Sequence, residues 1–192
     1  CSTGRMLSVL QSPNLPDRSL TMASWPSISL GLSASTRSIW MTSRRVCERR
    51  SLQFVANPQG RAVWLARNHL HASARRLDGA VASLVNPFAV WEIKEYWGGG
   101  EGKAGGSKMS DAVYECHLVG QELRTFERKA GLRVHHFVFV DGRQQWNSRR
   151  SDLLRLLDLE AQGFIDRLFV GRDVEFRWEP ALERSVAELG PR

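Results

Sequence analysis

Apolar and polar positions fall into a clear rhythm only after residue 75. Residues 80–84 form a short apolar run, and residues 89–97 alternate apolar with polar. Two antiparallel strands are expected there, joined by a tight turn at Asn86-Pro87. Residues 98–106 are dominated by glycine and read as a flexible loop; they contain no GxxxxGK[ST] and so no P-loop. A long helix is predicted over residues 108–129, with Val113, Leu118, Leu123 and Phe126 as its apolar surface. Ser107 or Ser110 can cap it, Asp111 suits its first turn, and Gly131 stops it. Residues 134–140 are a strongly apolar strand ending at Asp141-Gly142. Ser148 or Ser151 opens a second helix to about residue 162, rich in leucine. Another short strand falls within 164–170, and residues 181–189 suit a terminal helix.

The earlier chain is less legible. Leu52, Phe54 and Ala56 alternate, Asn57-Pro58-Gln59-Gly60 is a turn, and residues 62–66 are apolar, which fits a hairpin. A helix over residues 61–76 fits as well, with Val63, Ala66, Leu70, Ala74 and Leu77 on one face. Residues 1–50 are rich in serine, contain Pro13, Pro16 and Pro26, begin with cysteine, and hold no sustained period. They are expected to be a disordered, truncated or mistranslated segment, dispensable to a domain over residues 51–192. No internal repeat is present.

Length suits one domain with its own core. No apolar run approaches the roughly 20 residues that span a bilayer, so no membrane partner is expected. Cys1, Cys47 and Cys116 are odd in number and far apart, which points to free thiols in a reducing compartment, the cytoplasm. The net charge of +7 is unevenly spread. Residues 1–76 hold 11 arginines against 2 acidic residues, whereas residues 77–192 hold 16 basic and 18 acidic residues. A nucleic-acid surface in the second part must therefore be local.

Candidate chemistry lies in Asp78-Gly79 and in the strand Val90-Trp91-Glu92-Ile93-Lys94-Glu95-Tyr96. Alternation puts Glu92, Lys94 and Tyr96 on one strand face. Magnesium takes oxygen ligands, usually one or two carboxylates completed by water and substrate phosphate. Asp78 and Glu92 can be those carboxylates, and the backbone carbonyl of Ile93 a further ligand. Lys94 can orient an attacking water and offset charge on a phosphate. An exposed strand of alternating charges gives the same triplet. The apolar neighbours and the Asp-Gly across a hairpin favour the site.

Other residues are weaker candidates. Glu115 can add an acid near a metal, but a solvated helix face is the favoured reading. His135 and His136 are adjacent on a strand and point to opposite faces; one is expected in the core or an interface and the other exposed. Cys116-His117 lacks zinc-ligand spacing. Trp146 can stack on a base or serve structure. Lys103, Lys108, Arg149 and Arg150 are the candidate phosphate contacts.

The wording Arg76-Leu77-Asp78-Gly79, Asn86-Pro87, Glu92-x-Lys94 and Ser110-Asp111-Ala112-Val113-Tyr114-Glu115, in strand–strand–helix–strand order, resembles the PD-(D/E)xK nuclease superfamily in its type II restriction endonuclease-like branch. Leu77 stands where the family often has proline. The resemblance covers about residues 75–176 and implies an α/β fold, a restriction-endonuclease-like mixed sheet flanked by helices. It implies a helix and a strand before the Asp. It also implies a magnesium-dependent DNA endonuclease with Asp78, Glu92 and Lys94 catalytic, DNA as partner, and admits a homodimer. A repair nuclease, or a non-catalytic DNA-binding or scaffold domain, would carry the same features.

Overall fold

The computed structural model describes residues 33–96 and 106–189. Its elements in chain order are α1 (Ala34–Arg49), β1 (Phe54–Ala56), β2 (Val63–Ala66), β3 (His69–Ala72), β4 (Gly79–Val81), β5 (Ala89–Glu95), α2 (Gly106–Ala130), β6 (His135–Asp141), α3 (Arg143–Ser148), α4 (Arg150–Ala161), β7 (Arg167–Val170) and α5 (Asp173–Ala187). A five-stranded sheet runs β1-β4-β5-β6-β7. Its β1, β4 and β5 are antiparallel neighbours, and β5, β6 and β7 are parallel. The mixed α/β class expected from the sequence is present.

One sheet face packs on α2. Val90 and Ala80 meet Val119, Leu123 and Phe126, while Val138 and Val140 meet Met109, Val113 and Cys116. The opposite face is aromatic. The Trp178 indole of α5 stands edge-on to Trp91, Phe137, Phe139 and Phe169, with ring centroids 5.0–5.6 Å apart. Such edge-to-face pairs add to the burial of the rings themselves.

The expected boundary at residue 50 is wrong by one helix. Ser33 caps α1 by accepting the Thr36 N–H at 3.0 Å. Thr36, Ile39, Ser43, Val46 and Cys47 are its buried stripe, at helical spacing. Three of the five are polar or small, so no apolar period betrays them. Ser43 is satisfied inside the core: its hydroxyl donates to Ile39 O at 2.7 Å and accepts the Trp178 Nε1–H at 3.1 Å. Arginines 45, 49 and 50 then pair with Glu179 and Glu183 of α5. Residues 1–32 lie outside the described part.

Other boundaries shift for local reasons. The alternation at 52–56 becomes β1, which pairs with β4 and not with residues 62–66. Residues 61–76 are no helix: β2 and β3 form a separate hairpin, turning at Arg67 and Asn68 in left-handed conformation. Asn86-Pro87 does not close a tight turn. Its groups dock that hairpin instead, with Asn86 Oδ1 accepting Leu65 N–H at 2.7 Å and Pro87 O accepting Trp64 Nε1–H at 2.8 Å. The second helix is split into α3 and α4, and the terminal helix begins at Asp173, earlier than expected. Gly131 ends α2 with φ +65, where glycine costs least. The glycine loop expected over 98–106 falls almost wholly outside the described residues.

Two outcomes follow for folding. A chain beginning at residue 51 lacks α1 and leaves Trp178 without its polar partner; it should lose cooperative urea unfolding followed by tryptophan fluorescence. Gly79 faces the Trp91 indole so closely that any Cβ would fall within the ring. Gly79→Ala should therefore destabilise by about 1–3 kcal/mol, read as a lower urea midpoint.

Candidate functional site

The register of β4 on β5 builds the site. Gly79 pairs with Trp91 and Ala80 with Val90. Paired residues share a face, so Gly79 lies on the aromatic side and Asp78, one residue earlier, on the side of Val90 and Glu92. Asp78 N–H donates to Trp91 O at 3.0 Å. Its Oδ2 accepts the Ile93 N–H at 2.7 Å, replacing the ladder bond that β4 no longer supplies. In a strand the N–H and C=O of one residue point to the same side, so the Ile93 carbonyl also faces the Asp78 edge.

Glu92 and Lys94 are on the same face and nearly enclosed, at 1 % and 7 % exposure. The Lys94 ammonium pairs with Glu92 and lies 2.8 Å from Glu115 Oε2. Glu115 in turn meets Arg75 Nη1 through Oε1 at 2.6 Å. Glu115 is thus part of the site and not a solvated helix face. Its position flanks the buried stripe Ala112, Cys116, Val119 and Leu123, and that was the available signal. Arg75 left none.

Burial pushes the Asp78 carboxyl above the ordinary carboxylate range. The Glu92 charge adds to this, while the Ile93 N–H, Lys94 and Arg75 work against it. Burial works against the charged form of Lys94 but is outweighed by Glu92 and Glu115, so its pKa lies above the usual lysine value. Lys94 is a fixed cation at neutral pH.

Three carboxylates (Asp78, Glu92, Glu115) face two cations (Lys94, Arg75), and among the described residues Glu92 Oε1 is buried without a hydrogen-bond partner. Among the described residues no three His, Cys, Asp or Glu side chains gather closely enough to hold a metal by themselves. Magnesium is satisfied by one or two carboxylates when water and phosphate complete the shell. Asp78, Glu92 and the Ile93 carbonyl are the residues that fit such an ion.

The remaining candidates separate. Tyr96 donates its hydroxyl to Lys108 O at 3.0 Å and packs on Trp146. Trp146 is buried, with Nε1–H donating to Asp141 O at 3.0 Å, so it serves structure. Arg149 is taken by Asp152 and Ser110. Lys108 and Arg150 are exposed, and Lys103 lies outside the described residues. Neither histidine of the adjacent pair is exposed, contrary to expectation: His135 and His136 are both buried, on opposite faces. Cys47 and Cys116 are buried free thiols; burial raises the Cys47 pKa to about 12. A cavity of about 480 Å³ lies at the ends of β6 and β7 against α1, lined in part by Val140, Trp146, Val170 and Val174, and includes none of Asp78, Glu92, Lys94 and Glu115.

The raised Asp78 pKa fixes the sign of a pH effect. Its stabilising contribution is complete below the unfolded value of about 3.9 and is lost as pH rises through the folded value. Asp78→Asn keeps an acceptor for Ile93 N–H and removes the ionisation. Without metal it should melt higher than the parent at pH 7, with the gap closing toward pH 4 in thermal unfolding.

Among the described residues no helix is long and apolar enough to cross a membrane. No curated protein and no solved structure matches the chain. Residues 33–185, which begin at the cap of α1 and end within α5, match a family described as a domain of unknown function, DUF7687, and the chain belongs to that family.

Proposed function

We propose that this protein is a magnesium-dependent nuclease that hydrolyses DNA phosphodiester bonds, of PD-(D/E)xK type and with a restriction-type endonuclease as its closest functional analogue. One observation carries the reading: Asp78, just before β4, and Glu92 and Lys94 on β5 share one sheet face, with the Ile93 N–H bound to Asp78. Supporting it, α1 and β1 precede Asp78, and α2 and β6 follow the triplet. The resemblance asks for a helix and a strand before the Asp; α1, which no apolar period betrays, and β1, from the alternation at 52–56, stand there.

Asp78, Glu92 and the Ile93 carbonyl would hold the ion. A magnesium ion there supplies a water of lowered pKa and neutralises charge on the phosphate. Lys94 stays protonated, so it does not abstract a proton from water. Its ammonium orients the nucleophile and offsets charge on the reacting phosphate. Glu115 fixes its direction by tethering it from α2, and is itself held by Arg75 from the segment between β3 and β4. Lys108 and Arg150 are exposed cations for the DNA backbone.

Lys94 is buried between carboxylates, so its removal affects packing as well as chemistry. Lys94→Met with Glu115→Gln removes one cation and one of the acids it neutralises. Magnesium-dependent cleavage of DNA by this double variant should fall at least ~100-fold, at a folded fraction matched by circular dichroism. Wild-type cleavage by the folded double variant, or no cleavage by the parent with magnesium or manganese, would sink the proposal.

A further inference from the structure

Between the two apolar clusters on the α2 face lie two buried polar atoms that no group among the described residues satisfies: Nε2 of His136 and Oε1 of Glu92. Both residues are enclosed, at 0 % and 1 % exposure. They come from neighbouring parallel strands. Val90 pairs with His136 and Glu92 with Val138, so the two are diagonal neighbours on one face. No other charge acts on the imidazole as strongly as Glu92.

The second ring nitrogen decides what Nε2 is. His136 Nδ1 lies 3.0 Å from the carbonyl oxygen of Phe164, which can only accept, so Nδ1 carries the hydrogen. Burial lowers the pKa of the ring and keeps it neutral. Nε2 is therefore a bare lone pair. Glu92 Oε2 is held by the Lys94 ammonium in an ion pair, which leaves Oε1 as an acceptor too. Two acceptors cannot satisfy each other, and the two groups make no direct hydrogen bond. A donor with two hydrogens is needed between them, and one water molecule supplies that.

We propose that an internal water donates one hydrogen to His136 Nε2 and the other to Glu92 Oε1, and that His136 is thereby a positioning residue for Glu92. The bridge fixes the rotation of the carboxylate, with Oε2 turned to Lys94 and Oε1 turned to β6. The functional consequence, a carboxylate pre-oriented for a cation, rests on the nuclease reading; the bridge itself does not. Partners one step behind a metal ligand commonly set its orientation, and their loss costs about 10- to 100-fold in affinity.

Two measurements on the full chain separate the bridge from the reading. The first uses ring nitrogen–proton correlation spectra of metal-free protein. Nδ1 should be protonated, and Nε2 unprotonated but hydrogen-bonded, with a magnetisation-transfer contact from the ring to bound water. The Nε2 resonance should move in Glu92→Gln and stay in Glu115→Gln. Protonated Nε2, or no response to Glu92→Gln, overturns the bridge. The second is calorimetric titration with magnesium. His136→Phe, folded by circular dichroism, should bind at least ~10-fold more weakly, and His136→Gln, which restores an acceptor at that reach, should regain the parent affinity. Parent-like affinity in folded His136→Phe overturns the positioning role. If the parent itself binds no magnesium, the nuclease reading and the positioning role fall together, and the ring spectra alone decide the bridge.

Discussion

The antiparallel register of β4 on β5 is the constraint on which the rest depends. Trp91 lies over Gly79 with no room for a side chain between them. A slip of one residue would place Asp78 under the indole and turn Glu92 and Lys94 away from α2. The same contact seats Trp91 against Trp178, so the aromatic layer and the acidic site are set by one pairing seen from its two sides. Asp78 then takes over the Ile93 N–H at the point where the strand pairing stops. A backbone that lacks a partner is thereby converted into a means of holding a carboxylate in place.

The charge of the chain finds an explanation that composition hides. The basic excess before residue 77 suggests an arm for an anionic partner. Within the described residues, arginines 45, 49 and 50 of α1 instead meet Glu179 and Glu183 of α5. These groups are partly exposed, and each pair alone contributes little. Their value is directional, since they align two helices whose shared core holds Ser43 and the Trp178 N–H. Near the site, three carboxylates stand against two cations.

How much was legible depended on whether burial and polarity coincided. Strands β5 and β6 and helix α2 bury apolar residues at their proper periods, and the sequence shows them. Asp78, Glu92 and Lys94 were visible because short polar spacing on an apolar strand is conspicuous. Helix α1 was hidden because its buried stripe uses Thr36, Ser43 and Cys47, satisfied by distant groups such as Trp178 that no local window contains. The hairpin at 63–72 was confused with a helix because Val63, Ala66 and Leu70 suit both periods. Leu65 and Leu70, paired across that hairpin, are in fact exposed. Glu115 and Arg75 reach the site only through the crossing of α2 over β5, and His136 through the parallel pairing of β5 with β6. Those are facts of topology, not of spacing.

The pairing of α1 with α5 has a consequence for synthesis. Arg45 and Glu179 are 134 positions apart, so the first described helix docks on the last. A chain emerging from the ribosome at about 5–20 residues per second completes β5, α2 and β6 well before α5 exists. The layer that carries the acidic residues can assemble early, on contacts already made. The aromatic layer must wait, with Trp91, Phe137 and Phe139 uncovered, until the final helix arrives to close it. A nascent chain stalled before residue 173 would thus display a finished site on one side and an open, sticky face on the other, the kind of surface that chaperones bind.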